Sequence, residues 1–271
     1  MSMQSQAAAT VRAPLNFAAD RTDGGVWSNL MRHLTTQALE GREVEIRDAR
    51  RLSNGPSLER EGFVLSRTPA PPGADFTDRD WVAAHYSPQC LQLVQQLTGA
   101  AHVAPFYDGG AFIRDTGNAK AAPAAEFVHL DQTRESVRPF LEQAADAAVR
   151  ARWPRVKIFN VWRPLTPPPQ DVPLALCDQR TLDPRDWVVG RTVEPNFPDG
   201  VAYVSSVFNP DQRWFYLSDL TPDDVVVFKG YDSDPAAPYG CLHGAFKQPA
   251  PPFGAVPRAS AEVRVFAFFD A

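Results

Sequence analysis

Sulfur is scarce in this chain of 271 residues, which has three cysteines and three methionines. Cys90, Cys177 and Cys241 stand far apart and make neither an even disulfide framework nor a Cys-x-x-Cys metal knuckle. The expectation is three reduced thiols in a cytoplasmic protein. Basic charge is also short, with 27 Lys and Arg against 32 Asp and Glu for a net charge of -5. Without a broad positive field, nucleic acid is not expected as a partner and a small molecule is. Long apolar runs are missing too. The first residues lack the apolar stretch of a signal peptide, and nothing approaches the roughly 18 apolar residues of a membrane span, so no membrane partner is expected.

Proline and phenylalanine are plentiful, at 26 and 17. Set among short runs of Val, Phe, Tyr and Trp, they predict a mainly β protein with many turns and with helices as buttresses. Alternation predicts strands over 43–48, 62–66, 156–162, 202–208, 213–217, 224–229 and 262–269. Helical spacing predicts helices near 27–39, 81–86, 88–97 and 136–151, the third closed by Gly99 and the last by Pro154. A loop is expected at 68–74 and a polar connection at 115–125. Residues 1–13 read as a flexible tail, and the whole of 1–271 as one domain. Homodimerisation is compatible with all of this.

Histidine is rare, at five, so its neighbours are informative. His129-x-Asp131 has strand spacing, which aims both side chains to one face. Taken alone, such a pair is more often structural than metallic. With His243 as a third ligand it makes two imidazoles and one carboxylate, the set that holds non-haem iron(II) with open positions. Fifteen residues later Arg258-x-Ser260 offers a guanidinium fork and a hydroxyl, again at strand spacing, suited to the distal carboxylate of 2-oxoglutarate. Arg264 has the same parity and is the rival clamp. His33, His85 and His102 have no carboxylate at metal spacing. Arg114, Arg134 and Arg138 are possible contacts for an anionic substrate, against the simpler reading of exposed charges.

Several longer strings are more specific. They are Val128-His-Leu-Asp-Gln-Thr133, Asn160-Val-Trp-Arg-Pro-Leu165, Pro173-Leu-Ala-Leu-Cys-Asp178, Arg213-Trp-Phe-Tyr-Leu-Ser218, Phe228-Lys-Gly-Tyr-Asp-Ser233, His243-Gly-Ala-Phe246 and Arg258-Ala-Ser-Ala-Glu-Val-Arg264. On these the chain, from about residue 98 to 269, resembles the hydroxylase/desaturase family of the CmcJ/NvfI/AsaB type. The resemblance implies a double-stranded β-helix (jelly roll) core. It implies iron(II) at His129, Asp131 and His243, with 2-oxoglutarate and O2 as co-substrates. It supports Arg258 and Ser260 as the oxoacid clamp. Asn160 and Trp162 share a strand face and are candidates for the cavity wall, with simple packing as the alternative for Trp162. Arg163 is expected to pair with a carboxylate such as Asp171 or Asp178, and Lys229 to serve a structural ion pair.

The expected activity is oxidation of a C–H bond, by hydroxylation or desaturation or with oxidative ring formation, on a small natural-product-type molecule. Two other classes remain open at this stage. The same ligand triad suits a divalent-metal hydrolase of similar fold, and a non-catalytic ligand-binding β-domain is the third reading.

Overall fold

The computed structural model describes residues 9–118 and 121–270. Among these the chain first forms β1 (Thr10–Ala18), β2 (Val26–Trp27), β3 (Leu39–Asp48) and β4 (Phe63–Arg67). A helical segment follows, from α1 (Arg79–Trp81) through a π turn (Val82–Tyr86) into α2 (Ser87–Thr98). Then come β5 (His102–Pro105), β6 (Phe112–Asp115), β7 (His129–Leu130), α3 (Arg134–Ala144) and α4 (Ala147–Arg152). The second half is nearly all strand. It contains β8 (Arg155–Pro164), β9 (Leu174–Cys177), β10 (Trp187–Glu194), β11 (Phe197–Ser206), β12 (Trp214–Tyr216), β13 (Asp224–Asp232), β14 (His243–Ala245) and β15 (Ala259–Phe269).

The strands build the two sheets of a jelly roll. The larger has the order β1-β3-β12-β9-β14-β7-β11-β10-β2, and the smaller β4-β13-β8-β15-β5, with β6 also paired to β15. Strands distant in sequence become neighbours in this winding, which is how β7 and β14 come to lie side by side. Apolar clusters drawn from both sheets fill the space between them. One joins Phe17, Ile46 and Trp214 to Ile158 and Phe266, and another joins Leu174 and Phe215 to Trp162 and Phe228.

Period-two alternation divides the smaller sheet into a helix face and an interior face. Phe159, Val161, Val263, Val265 and Ala267 turn outward and pack on Val82, Tyr86, Cys90 and Val94. The interior face of the same strands carries polar groups. Antiparallel register sets Asn160 opposite Arg264, Trp162 opposite Glu262, Arg114 opposite Ser260 and Phe112 opposite Glu262, and residues opposite each other in a ladder share a face. The helical segment therefore seals one side of the sheet and leaves the other for chemistry.

Seven expected strands coincide with β3, β4, β8, β11, β12, β13 and β15. The helix expected after residue 86 is α2, closed by Gly99 in the left-handed conformation at φ 66. The helix expected over 27–39 does not form. Its first residues are β2, and only Arg32–Leu34 make a 3-10 turn. Side chains there bind the backbone instead: Ser28 Oγ accepts from Met31 N, Thr35 Oγ1 from Ser28 N, and the Glu194 carboxylate from Asn29 N. Such bonds compete with a helical ladder, and Leu30, 58% exposed, finds no surface to bury against. The expected 136–151 helix breaks in two because Ala145 is extended and the Asp146 side chain caps a new helix at Val149 N. Thr10–Ala18 forms β1 and pairs along its whole length with β3, so the tail expected over 1–13 is wrong at its C-terminal end. Its first eight residues lie outside the described residues.

Arg163 also departs from expectation. It is fully buried on the helix face, with no carboxylate partner among the described residues. Its guanidinium donates to Tyr86 Oη at 3.1 Å, Thr68 O at 2.6 Å and Pro222 O. It thus ties two loops and the π turn to β8 by neutral acceptors. Lys229 does sit beside a carboxylate, Asp232, at 3.6 Å. Among the described residues no helix is long and apolar enough to cross a membrane. Arg163→Met takes the donor from one buried and two half-buried acceptors while relieving the burial of one charge. We expect a net loss of about 2–3 kcal/mol, read as a lowered urea midpoint at unchanged slope; an unchanged midpoint would show that these bonds do not hold the loops.

Candidate metal and oxoacid site

β7 and β14 are only two and three residues long, yet they carry the chemistry. His243 pairs with His129 across them, and the two imidazole centroids are 4.3 Å apart. Gly244 permits the approach, because a Cβ there would lie 2.6 Å from the Phe127 carbonyl oxygen. Phe127 stacks on the His129 ring and Phe228 packs on that of His243, each at 4.6 Å. Both rings are held further by the backbone. His129 Nδ1 is 2.9 Å from Phe127 O, and His243 Nδ1 is 3.1 Å from Cys241 O. A carbonyl accepts, so Nδ1 bears the proton and Nε2 is left with a free lone pair.

Both Nε2 atoms face Asp131. They lie 3.8 Å from its two carboxylate oxygens, His129 from Oδ1 and His243 from Oδ2. One donor atom from each of the three residues lies within 4.8 Å of the others. Burial, with His243 beside it, pushes the His129 pKa down to about 3, so the ring stays neutral and able to ligate. Burial also works against charge on Asp131, but Arg264, together with the Asn160 hydrogen bond, holds its carboxyl well below the usual range. Two neutral imidazoles and one ionised carboxylate suit a non-haem iron(II) ion.

Asp131 is fixed from the smaller sheet. Asn160 Nδ2 donates to Oδ2 at 2.7 Å, and Arg264 Nη2 donates to Oδ1 at 2.5 Å. Arg264 also holds Glu262 at 2.8 Å, so the rival clamp is occupied by carboxylates of the protein itself. Asn160 stands against Gly230, where any Cβ would come within 2.7 Å of Asn160 Oδ1. The sequence offered Asn160 as a candidate for the cavity wall; it is instead fully buried, borders neither cavity, and spends its amide on the Asp131 carboxylate.

Arg258 and Ser260 line the same narrow cavity as His129, Asp131, His243 and Trp162. Arg258 Nη1 donates to Val172 O at 2.9 Å, and its guanidinium lies over the Trp162 ring at 5.4 Å. Among the described residues Arg258 Nε and Ser260 Oγ are buried without a hydrogen-bond partner. Buried polar atoms of this kind normally find partners, and both belong to the cavity. Burial and Arg114 lower the Arg258 pKa to about 10, which keeps the guanidinium charged at neutral pH. The cavity therefore offers an unused cationic donor and an unused hydroxyl beside the triad, and these residues fit an oxoacid with its carboxylate between them.

A second, larger cavity of about 470 Å³ adjoins the first. The two share Phe112, Arg114, His129, Asp131 and Arg264. Its other walls include the aromatics Phe76, Phe106, Phe127, Phe140, Phe197 and Tyr203, together with polar residues such as Asn29, Arg79, Asp108 and Glu194. Glu262 and Glu194, which border these cavities, were not singled out from the sequence. Continuing the parity of Arg258-x-Ser260 by one more step would have found Glu262.

A jelly roll with two histidines and a carboxylate beside a buried arginine and serine is the arrangement of iron(II)- and 2-oxoglutarate-dependent oxygenases. The chain belongs to the family described as "Oxidoreductase/YMDC permease-like domain", whose model matches residues 9–268. Its relatives are those to which the sequence strings pointed. It is 31% identical to the "Hydroxylase/desaturase efuI" of Hormonema carpetanum, with 96% of each chain covered. It is 32% identical to the "Fe(II)/2-oxoglutarate-dependent dioxygenase nvfI" of Aspergillus novofumigatus, covering 83% of each. Among solved structures it superposes on the iron and α-ketoglutarate-dependent endoperoxidase NvfI with a TM-score of 0.82 at 26% identity, over 98% of this chain and 99% of that one.

Removing Asn160 takes away one of the two donors that orient Asp131. Asn160→Ala is expected to weaken iron(II) binding by about 10- to 100-fold, measured by anaerobic calorimetric titration. Wild-type affinity in this variant would show that Arg264 suffices.

Proposed function

We propose that this chain oxidises a C–H bond of a small natural-product-type molecule, with hydroxylation, desaturation or oxidative ring formation as the outcome. In this reading His129, Asp131 and His243 hold iron(II), and Arg258 with Ser260 receives the distal carboxylate of 2-oxoglutarate. The chain works as one catalytic domain, since both sheets contribute to the site. The supporting observation is the pair of unsatisfied atoms, Arg258 Nε and Ser260 Oγ, buried in the cavity of the triad. A metal hydrolase gives those two groups no task.

The chemistry supplied at the triad is oxygen activation coupled to decarboxylation of 2-oxoglutarate to succinate, with oxidation of a substrate C–H bond. The protein's part is orientation and exclusion of water. Phe127 and Phe228 fix the imidazole planes. Asn160 and Arg264 keep Asp131 ionised and stationary. The Trp162 ring supports the Arg258 guanidinium, so the fork is already in position when the co-substrate arrives. Substrate enters from the larger cavity, whose aromatic walls keep the reacting carbon dry and beside His129 and Asp131.

Anaerobic titration of the apo-protein with iron(II) and then 2-oxoglutarate should produce the visible charge-transfer band of a chelated oxoacid. The band should require both additions and be missing in His129→Ala. In Arg258→Met the oxoacid concentration for half-saturation should rise at least about tenfold. Bound metal without a band in the wild-type protein would sink the oxygenase reading.

A further inference from the structure

Arg114 is the one arginine of the site wall that lacks a close partner. Arg264 is taken by Asp131 and Glu262. Arg258 donates to Val172 O and lies on Trp162. Arg114, half-buried on β6 opposite Ser260, has no hydrogen bond and no carboxylate within 4.0 Å among the described residues. It also differs from Arg258 in position, because Arg258 borders only the narrow cavity whereas Arg114 borders both.

Charge on the wall points the same way. Three guanidiniums, of Arg114, Arg258 and Arg264, face two carboxylates, of Asp131 and Glu262. A divalent ion and a doubly charged oxoacid would cancel each other, so the wall of the narrow cavity would keep one more guanidinium than carboxylate when loaded. Glu262, already held by Arg264, and more weakly Glu194 of the larger cavity's wall act on Arg114 only at a distance. The Glu194 carboxylate is engaged by Asn29 N at 2.6 Å, Asn29 Nδ2 at 2.8 Å, and more weakly by Leu30 N and Ser28 Oγ. A half-buried cation without a close counter-charge is the natural receptor for one that a ligand brings.

Resting on the oxygenase reading above, we propose that the larger cavity takes an apolar substrate bearing one carboxylate, which Arg114 receives. The guanidinium fork matches a carboxylate in two parallel bonds. The chamber of about 470 Å³ lies within the roughly 300–1,000 Å³ of small-molecule pockets. Aromatic walls hold the carbon skeleton, Arg114 fixes one end, and the C–H bond to be oxidised is set by its distance from that end. Arg114 is then the residue that decides which carbon lies beside the triad.

The test uses two probes that differ only in the charged group, pyrenebutyrate and pyrenebutanol. Each is titrated anaerobically into protein loaded with iron(II) and 2-oxoglutarate, with pyrene fluorescence as the readout. The wild-type protein should bind the acid at least about tenfold more tightly than the alcohol. R114Q should abolish that preference, R114K should retain most of it, and in R114Q the oxoacid titration of the charge-transfer band should keep its half-saturation. Equal binding of the two probes by wild-type protein, or a preference that survives in R114Q, overturns the proposal. A raised half-saturation for 2-oxoglutarate in R114Q also overturns it, by assigning Arg114 to the oxoacid. The wild-type comparison needs no variant, so a variant that fails to fold leaves the test standing. Acid preference in a wild-type protein that shows no charge-transfer band would instead reject the oxygenase reading and keep the anion receptor.

Discussion

Asp131 keeps a negative charge in a place where water barely reaches it, its side chain 5% exposed, and much of the interior is arranged around that fact. A lone buried carboxylate would take up a proton rather than bear the desolvation cost. Here each oxygen receives a donor from the facing sheet, Arg264 on one and Asn160 on the other. Two neutral imidazoles complete the surroundings without competing for those donors. The carboxylate is thus ionised before any metal arrives, and the two sheets are joined through it. A ligand residue that also bridges the layers couples the order of the site to the packing of the fold.

Delivery of these groups depends on sheet alternation more than on any single contact. Along β15 the residues facing the helical segment are Val263, Val265 and Ala267, and they pack as ordinary core. The intervening residues, Ser260, Glu262 and Arg264, face inward with Asn160 and Trp162 of β8 and Arg114 of β6. A slip of one residue would exchange the two sets, placing charges under α2 and apolar groups around the metal. The apolar cost of that exchange holds the register of the catalytic wall. The helices therefore matter to the chemistry although none of their residues borders the narrow cavity.

Legibility in the sequence followed the length of each element. Strands β8 and β15, ten and eleven residues long, show their period plainly, and the inward parity of Arg258, Ser260 and Arg264 could be counted directly. β7 and β14 are too short for any period. His129-x-Asp131 and His243 were legible as chemistry, by ligand type and spacing, while their strands were not. Local spacing failed where side chains captured the backbone, as Ser28, Thr35 and Glu194 do between β2 and β3. Partners were the least legible feature. Arg163 looked like half of an ion pair, and its bonds to Thr68 O and Pro222 O depend on loops 95 and 59 residues away. The Arg264 bond to Asp131 spans 133 residues, and nothing local to either residue announces it.

The two cavities divide the work between different parts of the chain. The narrow one is walled mostly by β6, β7, β8, β14 and β15, whose positions are fixed by ladders on both sheets. The wider one draws on less regular backbone, including Leu30 after β2, Phe76 before α1, Tyr107 between β5 and β6, and Asn196 at the β10–β11 turn. Loops accept substitution and insertion more readily than paired strands. The shape of the wider cavity is therefore free to change while the triad and the Arg258–Ser260 pair stay as they are. Where oxidation rests with the triad and the choice of carbon with the wider cavity, changes in its walls would redirect the product without touching the oxidising centre.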